Sequence, residues 1–154
     1  MSERELRVSK IRDGTVVDHV TGGQALNVLD ILGIDGSAGT VLSIAMNVPS
    51  ERLGRKDILK IEGRELSQEE LDVLSLIAPR ATVNIVRDFE VVDKRRVDRP
   101  RAVRGILACP NRNCITATDE PIESQFDVLE DGVRCRYCGA IVREEIADHL
   151  NPRR

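Results

Sequence analysis

Tryptophan is absent, and the only aromatic side chains are Phe89, Phe126 and Tyr137. A core must therefore be aliphatic, and the stacking of bases on rings that holds single-stranded nucleic acid has little to work with. Histidine occurs twice, at His19 and His149, and no catalytic triad is visible from spacing. No Walker loop, G-x-S-x-G elbow, H-E-x-x-H pair or Rossmann glycine fingerprint occurs, and Gly22-Gly23 is too short to cradle phosphates by itself. No apolar run approaches the length of a membrane-spanning helix, so no membrane partner is expected. The start, Met1-Ser2-Glu3-Arg4-Glu5, has no apolar h-region, so no secretory signal is expected and the chain is placed in the cytoplasm. The net charge is −3, from 26 acidic and 23 basic residues, which argues against a nucleic-acid backbone as the main partner.

What is present falls into two blocks. The chain has 154 residues, 41% of them hydrophobic and 32% charged, enough for a core and a normal surface. All four cysteines lie after residue 108, whereas the first 93 residues carry 16 acids against 11 bases. Between them, Lys94 to Arg104 holds six cations, one acid and a proline. It reads as a linker or an exposed strand extension.

The first block alternates strand and helix signals. Leu6–Ile11 and Thr15–Val20 read as strands around an Asp13-Gly14 turn. Gln24–Leu32 has a helical apolar face stopped by Gly33. Thr40–Val48 reads as a strand ended by Pro49, followed by a loop through Lys56 and a strand Asp57–Glu62 with Leu59 and Ile61 on one face. Ser67-Gln68-Glu69-Glu70 has the capping-box pattern of a helix start, and Pro79 ends that helix. Thr82–Arg87 and Phe89–Val92 are the last strands, with a bend near Asp88. The order ββαββαβ predicts an α+β fold: an antiparallel sheet with two helices on one face, ferredoxin-like, followed by a small all-β zinc-ribbon-like domain. The expected division is 1–98 and 99–154.

The second block spaces its cysteines as Cys109-x4-Cys114 and Cys135-x2-Cys138. Two close thiol pairs joined by a hairpin around Asp131-Gly132 suit one structural Zn2+. Fifty residues with so few large apolar groups need such a staple. An iron–sulfur site, or a redox pair at Cys135 and Cys138, is the alternative. After residue 104 there are nine acids and six bases, so a protein partner fits better than a phosphate backbone. Asn111 and Asn113 stand in the first cysteine loop, where they present amides to a partner or serve as turn residues. In the first block, strand alternation puts Asp18 and His19 on opposite faces. Lys60, between Leu59 and Ile61, either snorkels at a sheet edge or meets an anion.

Six segments in order carry a resemblance over residues 5–145. They are Asp13–His19, Met46–Ser50, Leu53–Asp57, Lys60–Glu62, Ala78–Asn84 and Cys109–Cys114. Together they resemble the regulatory chains of aspartate carbamoyltransferase. The resemblance implies a non-catalytic subunit of pyrimidine biosynthesis, with a nucleotide-effector domain that pairs regulatory chains as a homodimer. It implies a zinc domain gripping the catalytic chain, through residues such as Asn111 and Asn113, in an assembly of six catalytic and six regulatory chains. CTP and UTP are the implied inhibitors and ATP the activator, accompanied by Mg2+. Carried over residue by residue, Val8, Ile11, Val86 and Val91 would line base and sugar. Asp18 would meet the base end and His19 the phosphates, Lys60 the base and ribose, Asn84 the pocket, and Lys94 the triphosphate. Phe89 replaces a tyrosine, Ser9 stands where the best-known member has an acid, and Lys56 near a second nucleotide or its metal ion. The remaining arginines of the connector stay solvated in this reading. The rival readings are a zinc-ribbon nucleic-acid-binding module and a small metalloenzyme, the latter disfavoured by a four-thiolate site with no open position.

Overall fold

A computed structural model describes residues 10–34, 36–118 and 120–150. The chain forms two units, 1–97 and 98–154.

The first unit runs β1 (Gly14–Thr21), α1 (Ala25–Ile31), β2 (Leu42–Ser50), β3 (Gly54–Glu62), α2 (Gln68–Ile77), β4 (Thr82–Arg87) and β5 (Glu90–Arg96). The sheet order is β2-β3-β1-β4-β5, antiparallel throughout. The first four strands give the ferredoxin-like arrangement, and β5 adds an edge. Thr15, Val17, Leu59, Ile61 and Val83 point to one face and are buried with Val28 and Leu29 of α1 and Leu71 and Leu74 of α2. The core is aliphatic, as the lack of aromatics requires. The opposite face of the sheet carries Val16, Lys60, Asn84 and Lys94.

Helix α2 starts with the expected capping box: Glu70 N–H donates to Ser67 Oγ at 3.2 Å, and Ser67 N–H to Glu70 Oε1 at 3.0 Å. Helix α1 has no side-chain cap of its own. Fully buried Asp57, on the core face of β3, caps it from 32 residues away: Ala25 N–H donates to Asp57 Oδ2 at 2.8 Å. The other carboxylate oxygen accepts Asn47 N–H at 2.8 Å. That bond holds a bulge in which Met46 and Asn47 oppose Asp57 alone. A second bulge sets Asp18 and His19 against Ile58, with His19 at φ 56°.

Several boundaries differ from the sequence reading. Leu6–Ile11 falls mostly outside the described residues, and Lys10 and Ile11 are not in a strand. Strand β2 continues through Pro49, which an edge strand tolerates because no ladder donor is needed there. The turn into β3 shortens to Glu51–Leu53. The bend at Asp88 is a tight hairpin with Asp88 and Phe89 both at positive φ, and Phe89 N–H donates to Arg12 O at 2.9 Å. Of the two readings open for the connector, Lys94–Arg96 takes the exposed strand extension.

The second unit contains β6 (Ala102–Arg104), β7 (Gln125–Leu129), β8 (Gly132–Cys135) and β9 (Ile141–Val142), paired in that order as one antiparallel sheet. A short 3-10 turn follows Cys114 and another spans Ile146–His149. Val103, Leu107, Phe126, Val133 and Val142 are its buried apolar residues, a small core. Among the described residues no helix is long and apolar enough to cross a membrane.

Candidate functional site

Register brings the sequence-predicted polar residues onto one sheet face. Lys60 on β3, Val16 on β1, Asn84 on β4 and Lys94 on β5 are successive cross-strand partners, with Ser43 of β2 beyond Lys60. Directly paired residues share a face, so these side chains form one row across the sheet. Two residues along, toward the β4–β5 hairpin, Val86 pairs with Val91, and Ile11 is buried near the start of β1. Phe89 sits exposed at the hairpin tip. Two residues the other way, Asp18 pairs with Thr82 and Thr82 with Arg96. The three rows span roughly 13 Å, from an apolar end through a polar middle to a cationic end. Val8 and Ser9 lie outside the described residues.

The bulge corrects the alternation expected of Asp18 and His19. Two residues opposing one breaks the period of two, and His19 turns back toward the face of Asp18. Its Nδ1 lies 3.0 Å from Thr82 Oγ1, and its N–H donates to Asp18 Oδ1 at 2.6 Å. Asp18 also pairs with Lys56 Nζ at 3.0 Å. Asp18 therefore belongs to the cationic end, away from Val86 and Val91. Burial holds the pKa of His19 below its ordinary value; Asp18 opposes this, and the cations Lys56, Arg52 and Lys94 reinforce it. A cleft of about 290 Å³ at this end is lined by His19, Arg52, Thr82, Lys94, Arg95 and Arg96. Thr82, Arg52 and Arg96 escaped the sequence reading. Arg96 lay in a cation run read as solvated, and Arg52 in a loop; no sequence signal ties either to His19.

The second unit gathers Cys109, Cys114, Cys135 and Cys138, with all four sulfur atoms within 4.8 Å of one another. Cys109 and Cys138 sulfurs are 3.4 Å apart, Cys114 and Cys135 sulfurs 3.7 Å. A tetrahedral site with metal–sulfur bonds of about 2.3 Å has sulfur–sulfur edges of about 3.8 Å, so the set fits a four-thiolate metal. The backbone supports that charge. N–H groups of Asn111 toward Cys109, of Tyr137 and Cys138 toward Cys135, and of Ala140 toward Cys138 favour thiolate. The Ala140 contact is the largest influence bringing Cys138 down to about 7. Burial pushes Cys109 and Cys135 up instead, and a bound cation would offset that cost. Gly139 at φ 81° closes the knuckle, its N–H donating to Cys135 O at 2.9 Å. Tyr137 stands half-exposed inside this knuckle. Asn111 Oδ1 accepts Asn113 N–H at 3.0 Å, so the Asn111 side chain serves the turn, while Asn113 is exposed.

Comparison with known proteins agrees with both halves. Residues 6–98 match the family model for the aspartate carbamoyltransferase regulatory chain, allosteric domain, and residues 101–148 that for its metal binding domain. Aspartate carbamoyltransferase regulatory chains similar to this one include that of Natronomonas pharaonis, 68% identical over 98% of this chain and 99% of its own. That of Haloarcula marismortui is 62% identical over 97% and 96%. That of Methanoculleus marisnigri is 54% identical over 96% and 95%. With an open polar sheet face in one unit and a four-thiol cluster in the other, the chain belongs to the family of aspartate carbamoyltransferase regulatory chains.

Proposed function

We propose that this chain binds nucleoside triphosphate effectors on the open sheet face and passes their effect to a catalytic chain of aspartate carbamoyltransferase. CTP and UTP are the inhibitors and ATP the activator, with Mg2+ accompanying the phosphates. The observation that carries this is the three-row arrangement. Ile11, Val86 and Val91 suit a base, Lys60 and Asn84 suit polar groups of base and ribose, and Lys94, His19 and Arg96 suit phosphates. Asp18 fixes Lys56 and His19 at the phosphate end.

In the second unit Cys109, Cys114, Cys135 and Cys138 hold one Zn2+, whose role is structural because four protein thiolates leave no open position. Asn113 and its loop face the catalytic chain. A homodimer forms through edge strand β2, where Ile44 and Met46 are exposed along the free edge of the sheet. Six regulatory and six catalytic chains then assemble in the cytoplasm, where thiols stay reduced.

An effector acts only through different affinity for two states of that assembly, and a coupling of about 1–3 kcal/mol changes activity severalfold to a hundredfold. The test is calorimetric titration of the metal-loaded chain with CTP, beside Lys60→Ala, and with a random oligonucleotide at low and high salt. Saturable CTP binding weakened in the variant supports the reading. No CTP binding, with salt-sensitive oligonucleotide binding, overturns it in favour of a nucleic-acid module.

A further inference from the structure

We infer that Arg52, in the turn between β2 and β3, is a specificity-determining residue that reads the outer phosphates of a nucleoside triphosphate and distinguishes it from the monophosphate. The inference rests on the nucleotide reading above. Four observations converge on it.

The first is position. Following β3 from Glu62 toward Gly54, the chain passes the row of Val86, then Lys60, then the level of Asp18 and Thr82, then Lys56, and reaches Arg52 last. Arg52 therefore meets only the far end of a ligand whose base lies beside Val86 and Val91. The second is the cleft itself, which Arg52 lines together with His19, Thr82, Lys94, Arg95 and Arg96. The third is how the turn is held. Leu53 N–H donates to Ser50 Oγ at 3.2 Å, and Arg80 Nη1 donates to the carbonyl of Arg52 at 3.3 Å. The backbone of the turn is anchored while the guanidinium is left to a ligand.

The fourth is charge. Among the described residues, Arg52, Lys94 and Arg96 have no carboxylate in ion-pair range, whereas Arg95 pairs with Asp93 at 2.8 Å. Asp18, the acid of this end, is occupied by Lys56. Cations brought together without carboxylates repel one another until an anion of several charges enters, and a guanidinium fork matches phosphate oxygens. The charge of Arg52 already reaches His19. A monophosphate ends near the Lys60–Lys94 row; a triphosphate continues into the cleft.

The experiment is calorimetric titration of the full-length, metal-loaded chain with CTP, CDP, CMP and inorganic tripolyphosphate, in the native chain and in Arg52→Gln and Arg52→Lys. Loss of one charge-assisted contact should weaken CTP roughly tenfold in Arg52→Gln and leave CMP within about twofold, with Arg52→Lys in between. The CTP difference should shrink at high salt. Tripolyphosphate that competes with CTP, binds more weakly and depends on Arg52 also supports the assignment. Equal weakening of CTP and CMP, or none, overturns it while leaving the nucleotide site standing. Tripolyphosphate binding as tightly as CTP overturns the nucleotide reading, since the nucleoside would then not be read, and this inference with it. Failure of the native chain to bind any nucleotide overturns the underlying reading and this one with it.

Discussion

Replacing Asp57 by alanine should destabilise the first unit more than its position on a strand would suggest. Its carboxylate is fully buried and accepts two backbone N–H groups, one at the first turn of α1 and one at the β2 bulge, both at 2.8 Å. Each such bond to a charged group is worth about 1.5–3 kcal/mol. Relief of the buried charge offsets part of that sum. The two orphaned donors and the lost interaction with the helix N-terminus offset the relief in turn. The net loss expected for Asp57→Ala is about 3 kcal/mol, which in a domain near 100 residues lowers Tm by roughly 12–24 °C. Asp57→Asn keeps one acceptor and faces the second donor with its own NH2, so it should fall between the alanine variant and the native chain. Urea unfolding followed by far-UV circular dichroism measures both variants. Amide exchange should show new exposure first at Ala25 and Asn47. A loss below about 1 kcal/mol in Asp57→Ala, with those two amides still protected, would refute the reasoning.

Three further outcomes are expected. Burial keeps the folded-state pKa of His19 under its ordinary 6.5, so its contribution to stability is present above that pH and lost as the pH falls through the lower folded value. Phosphate beside the imidazole raises that pKa, so CTP binding should take up protons and tighten as the pH falls from neutrality, and His19→Gln should flatten the slope measured by calorimetry in several buffers. Chelating the metal should abolish exchange protection across β6–β9 while β1–β5 stay protected, because the proposed structural zinc would supply about 10–16 kcal/mol to a core this small; retained protection after complete metal removal would contradict the structural role. Gly14→Ala should be among the most damaging substitutions on the central strand β1, since buried Gly14 has φ 145° and a Cβ there would lie 2.1 Å from Ile61 O; a Tm within a few degrees of native would show that the strand yields more easily than a packed sheet should.

Much of this fold could be read before the structure, for local reasons. The alternation through Asp57–Glu62, the Ser67–Glu70 capping box and the cysteine spacing are each short-range patterns with one physical meaning. The sites were less legible. The bulges at His19 and Asn47 place non-glycine residues at positive φ; histidine and asparagine tolerate that region better than most side chains, but no local pattern marks these two positions for it. What holds one of them is Asp57, a tertiary partner 10 residues from Asn47 and 32 from Ala25. That Lys60, Asn84 and Lys94 share a row follows from β-sheet register across β3, β1, β4 and β5, which spacing does not encode. The family resemblance named those residues without saying how they meet. Lys94–Arg96 could be read as linker or strand extension alike because charge masked its strand character; on an edge strand, charge is what keeps other chains from pairing.

The position of Tyr137 gives the molecule an optical asymmetry. It is the single tyrosine of a chain without tryptophan, and it sits between Cys135 and Cys138 with its hydroxyl 3.3 Å from Gln125 Nε2. Ultraviolet emission excited in the tyrosine band therefore arises at one place, the metal knuckle. A change in that emission during a nucleotide titration would be a message received in the second unit from a ligand bound in the first, recorded without attaching any label.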